Sequence, residues 1–316
     1  MNKPLKIIFA GTSEFSEKHL QTLISCKYNI IGILTQPDRA SGRGQHIVES
    51  LVKKTAKKHD ILILQPKSLQ CYKLYNKLHE LRADLMIVVS YGLIFPKHIL
   101  NSFKIGCINI HASLLPRWRG SSPIQSAILH GDSITGITII KMEEAIDSGK
   151  ILHSLTYKIK KSDTSSSLKK QLIKLGCKAM LLALKKIELK TNNTVIQSTL
   201  TTYSKKIKKT DAQINWSQDA TQLEKCIRAF NPWPTSYFTI CHKNIKVWEA
   251  NVIMQYNINT YEIGEIISFN KNGLQIQTGK NILNITKIQL PGKKITDIYA
   301  LNKFSKYWCI PKIKLD

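Results

Sequence analysis

An asparagine and a histidine stand two positions apart in the segment GCINIHA (106–112). The apolar residues around them predict a β-strand, on which residues i and i+2 point to the same side. Asn109 and His111 would therefore face one cleft together. An amide can donate a hydrogen bond to a developing oxyanion, and an imidazole can take or stabilise a proton near neutral pH. The pair suits acyl transfer through a tetrahedral intermediate.

Carboxylates occur in a second segment, MEEAIDSGKI (142–151), which follows another apolar run. Asp147 stands directly before a Ser-Gly turn signal, so its loop could reach the same cleft. There it would orient His111 and raise the basicity of the imidazole. Glu143 and Glu144 are rival carboxylates, and the spacing of the residues does not choose among the three.

Motifs of several other reactions are missing from the sequence. GTSEF (11–15) is not a GxSxG nucleophile elbow, and Cys107 stands in the middle of an apolar strand. Direct transfer to an external nucleophile is therefore favoured over a covalent enzyme intermediate. The first strand is not followed by GxGxxG, and no GxxxxGK[ST] occurs, which argues against a nicotinamide cofactor and against nucleotide hydrolysis.

Strands and helices alternate over the first 190 residues. This order predicts an α/β fold, a Rossmann-like and mostly parallel sheet with helices on both faces, which binds ligands at the carboxyl ends of its strands. Strands are predicted over 5–12, 29–36, 61–66, 85–92, 106–112 and 134–142, and helices over 14–25, 48–60, 74–84 and 165–189.

The character of the chain then changes to polar and Thr/Asn-rich, and afterwards to short β-rich segments separated by Gly and Asn turns. We predict a catalytic domain over 1–190, a basic linker over 191–208, and a smaller β-rich, OB-like barrel domain over 209–316. One helix, over 219–230, precedes the strands of the second domain.

The net charge of +26 over 316 residues favours a polyanionic partner, either nucleic acid or an anionic membrane. An AT-rich coding sequence would also enrich lysine, and this is the competing explanation. Residues 158–209 carry 14 lysines against two acidic residues, which uniform drift does not predict. The distribution therefore favours a functional role for part of the charge.

Cysteine usage and hydropathy indicate the compartment. The seven cysteines are scattered and form no CxxC pair, which predicts free thiols in a reducing cytoplasm and neither disulfides nor a zinc site. No apolar run approaches the roughly 18 residues of a membrane span, and the N-terminal run is too short for a signal peptide. We therefore expect a cytoplasmic globular protein with no membrane partner and no metal.

The stretch NIHASLLPRWRGSSPIQ (109–125), followed by MEEAIDSGKIL, resembles the core of the 10-formyltetrahydrofolate-dependent formyltransferases. The resemblance extends over nearly the full length and is strongest to the members that act on initiator methionyl-tRNA. The other matching segments, in order, are FAGTSEFS (9–16), TQPDRASGRGQ (35–45), SYGLIFPKHIL (90–100), IRAFNPWPTSYF (227–238) and LPGKKI (290–295).

The resemblance implies a reaction and its residues. A formyl group would pass directly from 10-formyltetrahydrofolate to the α-amine of methionyl-initiator tRNA, giving N-formylmethionyl-tRNA for translation initiation. The implied catalytic set is Asn109, His111 and Asp147. The implied folate-contacting residues are Ser113, Leu114, Leu115 and Pro116. The family usually has Gly-Leu-Asp-Thr-Gly-Asp around the aspartate, where this chain has Ala-Ile-Asp-Ser-Gly-Lys. The resemblance therefore does not determine the backbone conformation of this loop.

We expect the enzyme to be monomeric. Several basic residues are candidates for contact with the tRNA. The family counterpart of the 35–45 loop inserts at the acceptor end, which makes Arg39 and Arg43 candidate contacts, although a mobile surface loop would explain the sequence equally well. Arg117 and Arg119 either contact the acceptor end or brace their turn through carboxylates. Four linker lysines are candidate phosphate neutralisers: Lys205, Lys206, Lys208 and Lys209.

Two alternatives compete with this interpretation. A formyltransferase for glycinamide ribonucleotide or an amino-sugar nucleotide would share the Asn-His-Asp chemistry, but it does not predict the basic linker and the β-rich second domain. A non-catalytic RNA-binding protein would explain the charge and the barrel. It leaves Asn109, His111 and Asp147 without a role.

Overall fold

A computed structural model describes residues 4–41, 44, 46–191, 193–240, 242–255, 261–303 and 310–315. The first part of the chain forms a seven-stranded sheet with flanking helices and two short strand pairs. Its elements are β1 Lys6–Gly11, α1 Glu14–Ser25, β2 Asn29–Leu34, β3 Arg39–Ser41, β4 His46–Val48, α2 Leu51–Lys58, β5 Ile63–Leu64, α3 Tyr72–Leu81, β6 Leu85–Val89, α4 Lys97–Leu100, β7 Gly106–His111, β8 Arg119–Gly120, α5 Pro123–Leu129, β9 Ile134–Lys141, β10 Ile151–Lys158, α6 Ser165–Glu188 and β11 Tyr203–Ser204.

The seven strands have the order β10-β9-β7-β6-β1-β2-β5. The pairs from β5 to β7 are all parallel, whereas β9 runs antiparallel to both β7 and β10. The predicted α/β class with a mostly parallel sheet is confirmed. β7 lies where the parallel part of the sheet meets the antiparallel part, so its carboxyl end is flanked by the end of β6 and by Thr138 within β9. The end of β9 lies beside the first half of β7, where Met142 donates its backbone N–H to the Cys107 carbonyl oxygen (2.8 Å).

Helices cover both faces of this sheet. On β1, Ile8 and Ala10 pack into a cluster with residues of α3 and with Ile99 and Leu100 of α4. The alternate residues Ile7 and Phe9 are fully buried as well, which places them on the opposite face, because side chains alternate along a strand. Near-continuous burial on both faces is typical of a parallel sheet with helices on each side.

α1 begins and ends where the sequence predicts, at residues 14 and 25. Ser13 caps its N-terminus, because its hydroxyl accepts the backbone N–H of Ser16 (3.3 Å). α1 also packs closely on α6, since a Cβ at Gly176 would lie 2.5 Å from Nε2 of His19. A glycine is therefore required at this helix crossing.

The chain divides into two compact units, which are not continuous in sequence. The first takes the described residues within 1–123, 134–158 and 169–204, and the second takes those within 124–133, 159–168 and 205–316. Residues 195–204 pair with other segments of the first unit, since β11 pairs with β8 and Val195 forms a β-bridge with Ile151. The predicted bounds of the two domains and the linker stay predictions.

The second unit contains a curved antiparallel sheet, the half-barrel that corresponds to the predicted β-rich domain. The strand order is β12-β13-β16-β15-β14, with β17 beside β16, and α7 packs against β13 and β16. The core is apolar and includes Trp216 and Phe238. Its elements are a 3-10 helix at Lys209–Ala212, α7 Ala220–Ala229, β12 Tyr237–Ile240, β13 Lys243–Ile253, β14 Ile266–Asn270, β15 Gly273–Gln277, β16 Ile282–Gln289, β17 Thr296–Asp297 and a 3-10 helix at Ile298–Lys303.

Some elements were not predicted from the sequence. β10 has no run of apolar residues. β3 lies inside the segment 35–45, interpreted as a polar loop, and its partner β4 follows that segment. No helix among the described residues is long and apolar enough to cross a membrane. The five cysteines within the described part, at 26, 71, 107, 177 and 226, are free thiols.

The buried His19 side chain should make the folded state sensitive to acid. Its Nδ1 lies 2.7 Å from the Phe15 carbonyl oxygen, and burial lowers the pKa of His19 to about 4. The folded state therefore favours the neutral ring, whereas the unfolded chain binds a proton near pH 6.5. The stabilisation that the neutral His19 ring contributes should be complete above pH 6.5. The free energy of unfolding should therefore fall by about 2 kcal/mol between pH 7 and pH 5.

Denaturant titrations at the two pH values measure this fall. The variant His19→Gln lacks the titrating ring, so its stability should depend much less on pH over the same range. An equal fall in the wild type and the variant would show that His19 is not the acid-sensitive group.

Candidate active site

Asn109 and His111 lie at the carboxyl end of β7, side by side as the strand period predicts. Asn109 is opposite Val88 of β6 and opposite Ile140 of β9, so the strand is held on both sides. Asn109 is half-buried, whereas His111 is only 5% exposed. The amide is therefore the more accessible of the two groups at the edge of the sheet.

The Asp147 carboxylate joins these two side chains. Oδ1 accepts a hydrogen bond from Nδ2 of Asn109 (3.0 Å), and Oδ2 accepts the backbone N–H of Gly120 (2.8 Å). Oδ2 also lies 3.4 Å from Nδ1 of His111. The sequence predicts only that Asp147 orients His111. The structure adds a direct bond to Asn109, which leaves the second N–H of that amide available to a substrate.

Both ring nitrogens of His111 face acceptors. Nε2 lies 2.9 Å from the carbonyl oxygen of Trp118, which can only accept, so Nε2 carries a hydrogen. Nδ1 faces the Asp147 carboxylate, which accepts as well. The pocket thus offers a partner to each N–H of a doubly protonated ring.

The structure distinguishes Asp147 from the two rival carboxylates. Glu144 pairs with Lys97 at the surface (3.0 Å), and Glu143 is exposed. The Asp147 side chain is 11% exposed, and its backbone is left-handed, with φ of +51°. This conformation is uncommon for a residue with a Cβ, although aspartate is among those that tolerate it.

The backbone of the Asp147 loop is fixed by close packing at Gly149. A Cβ at this position would lie 1.7 Å from the carbonyl oxygen of Lys141, so no other residue fits there without a shift of the backbone. The Lys141 N–H donates to the carbonyl oxygen of Lys150 (2.9 Å). The loop is therefore tied to the end of β9 through backbone atoms.

Cys107 also lies on β7, but it is not a nucleophile candidate. Its thiol is buried and points toward the Leu100 carbonyl oxygen (3.6 Å). Burial raises the pKa of the Cys107 thiol well above its usual range, which keeps it protonated.

The turn after β7 contains the four residues that the resemblance assigns to folate. Ser113 and Leu115 are buried within the turn, where the Ser113 hydroxyl donates to the Arg117 carbonyl oxygen (2.6 Å). Leu114 and Pro116 are half-buried and keep side-chain surface at the edge of the turn. Only these last two have side chains available to a ligand in the structure.

A second loop, after the neighbouring strand β6, opens apolar surface at the same edge of the sheet. Leu93 is 39% exposed and Ile94 is 67% exposed. Gly92 has φ of +90°, with open space where a Cβ would lie. Together with Leu114 and Pro116, this surface suits a flat heterocycle that makes apolar contacts and reaches exposed backbone groups.

Arg117 and Arg119 have different environments. Arg117 is exposed, and its guanidinium lies 4.3 Å from the centre of the Trp118 ring. Arg119 points into the protein and donates from Nε (3.1 Å) and Nη2 (2.7 Å) to Oε1 of Gln197. In the structure Arg119 holds the turn through an amide and not through a carboxylate, and contact of either arginine with tRNA stays a prediction.

The described candidates for tRNA contact are exposed side chains. Arg39 is exposed on β3 and donates to Oε1 of Gln36 (3.1 Å). Arg43 lies outside the described residues. The four predicted lysines are exposed and belong to the second unit: Lys205, Lys206, Lys208 and Lys209.

Sequence reasoning missed two partners of Asp147. Gly120 contributes a backbone N–H, and Gln197 donates to the carbonyl oxygens of Asp147 and Gly149. Gln197 stands in a polar segment that reads as a linker, with no periodicity to mark it. Gly120 has φ of +110°, and the signal for it was the Arg-Gly turn that ends PRWRG.

Comparisons with known proteins identify the class of enzyme to which this arrangement belongs. Residues 5–184 match the family model for formyl transferase, and residues 206–305 match the model for formyl transferase, C-terminal domain. The fold is similar to HypX from Aquifex aeolicus in complex with tetrahydrofolic acid, with TM-score 0.65 and 15% identity over 99% of this chain and 50% of that chain. It is also similar to WlaRD, a sugar 3N-formyl transferase, with TM-score 0.65 and 19% identity over 93% and 100% of the two chains.

Curated relatives define the particular family. A methionyl-tRNA formyltransferase of Buchnera aphidicola subsp. Baizongia pistaciae (strain Bp) is 52% identical over 313 residues, or 98% of this chain and 97% of the relative. One from Buchnera aphidicola subsp. Acyrthosiphon pisum (strain APS) is 54% identical over 300 residues, or 94% of each chain. The chain belongs to the methionyl-tRNA formyltransferase family of folate-dependent enzymes.

Proposed function

We propose that Asn109, His111 and Asp147 carry formyl transfer from 10-formyltetrahydrofolate to the α-amine of methionyl-initiator tRNA. The product is N-formylmethionyl-tRNA, which serves translation initiation. The observation that supports this assignment is the Asp147 carboxylate, which accepts from Asn109 (3.0 Å) and faces His111 (3.4 Å) at the end of a strand. We further propose that the enzyme is monomeric and cytoplasmic.

Attack of the amine on the formyl carbon forms a C–N bond and places negative charge on the formyl oxygen, giving a tetrahedral intermediate. The second N–H of Asn109 donates to this oxygen, and the His111 imidazolium places positive charge next to it. Donors held in place before the reaction stabilise such charge by several kcal/mol, since they need no reorganisation. The bond between Asn109 and Asp147 keeps the amide in that orientation.

Proton transfer completes the reaction. The α-amine is appreciably neutral at physiological pH, because free α-amino groups titrate near 7.7–8.0. After attack the nitrogen carries one proton too many, while the folate nitrogen that leaves must gain one. Asp147 takes part in this transfer, directly or through water, and it holds His111 in place at the same time.

Residues at the edge of the sheet fit the folate co-substrate. The half-buried side chains of Leu114 and Pro116, with the exposed Leu93 and Ile94, give apolar walls for the pteridine ring. Backbone groups beside Gly92 supply hydrogen bonds to its polar edge. When bound, the folate supplies the formyl group.

The proposed tRNA contacts depend on charge. Lysines bind phosphates as point charges, and each contact releases counterions from the nucleic acid. The exposed lysines at 205, 206, 208 and 209 suit the tRNA backbone. Arg39 and Arg43, on the segment 35–45, are proposed to contact the acceptor end.

Formylation of charged tRNA is the direct test of the proposed substrate. Purified protein with 10-formyltetrahydrofolate should formylate methionyl-initiator tRNA. Free glycinamide ribonucleotide and an amino-sugar nucleotide, at equal concentration, should give no product above background. Absence of transfer to the tRNA would exclude the proposal, and transfer to the small substrates would favour another branch of the family.

Asn109→Ala should lower kcat by roughly 10² to 10³, the range measured when one oxyanion donor is removed. Because Asn109 acts on charge that develops in the transition state, the affinity for tetrahydrofolate should change little. Single-turnover formylation and calorimetric titration with tetrahydrofolate measure the two quantities. Near-normal turnover in this variant would show that Asn109 does not stabilise the oxyanion.

Replacement of the four lysines at 205, 206, 208 and 209 by glutamine should weaken tRNA binding and flatten its dependence on salt. If each lysine neutralises one phosphate, the slope of log K against log salt should fall by about 3. A matched control replaces four exposed lysines of α6 by glutamine, namely Lys170, Lys174, Lys178 and Lys185. Equal slopes for the two quadruple variants would show that the lysines at 205–209 have no special role in tRNA binding. Their number would then be explained by an AT-rich coding sequence.

A further inference from the structure

The side chain of Gln197 holds the backbone of the catalytic loop. Its Nε2 donates to the carbonyl oxygen of Asp147 (2.8 Å) and to that of Gly149 (2.8 Å). The two carbonyls lie on either side of Ser148, so one amide group spans the turn that presents the Asp147 carboxylate. Both hydrogens of the amide are used in this way.

Arg119 fixes the direction of that amide. Its Nε and Nη2 both donate to Oε1 of Gln197, at 3.1 and 2.7 Å. A guanidinium only donates, and backbone carbonyls only accept, so one orientation of the Gln197 amide satisfies all four bonds. The reversed amide would place donors against Arg119 and an oxygen against two carbonyls. Arg119 thus decides which end of Gln197 faces the loop.

Both residues are anchored in the first unit by backbone pairing. The Arg119 N–H donates to the Thr202 carbonyl oxygen (2.9 Å), and the Arg119 carbonyl oxygen accepts from the Ser204 hydroxyl (3.2 Å). Two residues before Gln197, Val195 and Ile151 exchange a pair of backbone bonds of 2.8 Å. Gln197 and Arg119, here called the clamp, are therefore both held by the backbone around them, which a positioning role requires.

Asp147 needs such support because its conformation is uncommon. Its φ of +51° is left-handed, a region that a residue with a Cβ occupies only where the surrounding structure holds it. The carboxylate must also reach Asn109 and the Gly120 N–H together. Relaxation of the loop would move both oxygens away from these donors.

We propose that Gln197, oriented by Arg119, is a positioning residue for Asp147 and thereby for catalysis. The inference rests on the proposed function, since it requires Asp147 to act in the reaction. It also assigns Arg119 to the architecture of the site. A direct contact between Arg119 and tRNA phosphate is the alternative that the experiment must exclude.

Three variants separate these roles. Gln197→Met keeps the length of the side chain and removes all four bonds. Gln197→Glu keeps the contact with Arg119 but turns a carboxylate oxygen toward two carbonyls. Arg119→Lys keeps the charge and loses the paired donation. Ser198→Ala, at an exposed position of the same segment, is the matched control.

The expected effect is on turnover and not on binding. A misplacement of about 1 Å can cost on the order of 10²-fold, so kcat should fall by tenfold or more in Gln197→Met and further in Gln197→Glu. KM for tRNA and affinity for tetrahydrofolate should stay within about twofold, and Ser198→Ala should match the wild type. A raised KM for tRNA with normal kcat in Arg119→Lys would assign Arg119 to tRNA and overturn the proposal.

A double-mutant cycle with Asp147→Asn supplies a readout that general destabilisation would not give. If Gln197 acts through Asp147, adding Gln197→Met to Asp147→Asn should change the single-turnover rate by less than about threefold. A full, independent loss in that background would overturn the positioning role. Thermal unfolding of each variant checks that it is folded, and Arg119→Lys carries the test if Gln197→Met is not.

The outcomes also separate this inference from the proposed function. Normal turnover in Asp147→Asn would contradict the assigned catalytic set. Impaired turnover in Asp147→Asn together with normal turnover in the Gln197 variants would contradict only the role of Gln197.

Discussion

The geometry of the site depends on how one nearly buried carboxylate is satisfied. A carboxylate removed from water costs several kcal/mol unless hydrogen bonds replace its hydration. Asp147 receives an amide N–H from Asn109, a backbone N–H from Gly120 and the facing ring of His111. These donors come from the end of β7 and from the turn after it. The same contacts that offset the burial of the charge also arrange the reacting groups.

The sheet brings these donors together. β7 is the last of the parallel strands and pairs on its other side with the antiparallel β9, so β9 ends beside Ile108 in the first half of β7. The loop after β9 turns back from there and brings Asp147 to Asn109 and His111. The glycine at 149 lets that loop lie directly against the Lys141 carbonyl oxygen. The return of this loop is therefore what brings the Asp147 carboxylate to its donors.

The sequence predicts those features of the site that depend on the periodicity of helices and strands. Apolar spacing predicts α1 at its observed bounds, and strand alternation places Asn109 beside His111. Gln197 was not predictable, because its partners are Arg119, 78 residues away, and the backbone of a loop about 50 residues away. Every residue has a backbone carbonyl, so the sequence does not indicate which carbonyls accept a side-chain hydrogen bond. β10 was missed for a related reason: only one of its residues, Leu152, is buried, so apolar spacing does not reveal it.

The backbone contacts also explain how this loop tolerates its unusual residues. The chain has Ser148 and Lys150 where the resemblance leads one to expect threonine and aspartate, yet the clamp does not use those side chains. Gln197 reads only carbonyl oxygens, and the bond from Lys141 to Lys150 joins backbone atoms. These acceptors are the backbone carbonyls of residues 147, 149 and 150, so they do not depend on the side chains at 148 and 150, whereas position 149 admits only glycine. The Ser148 hydroxyl adds a local bond to the Ala145 carbonyl oxygen (2.9 Å). The shape of the loop is thus set mainly by a distant side chain and by close packing at Gly149.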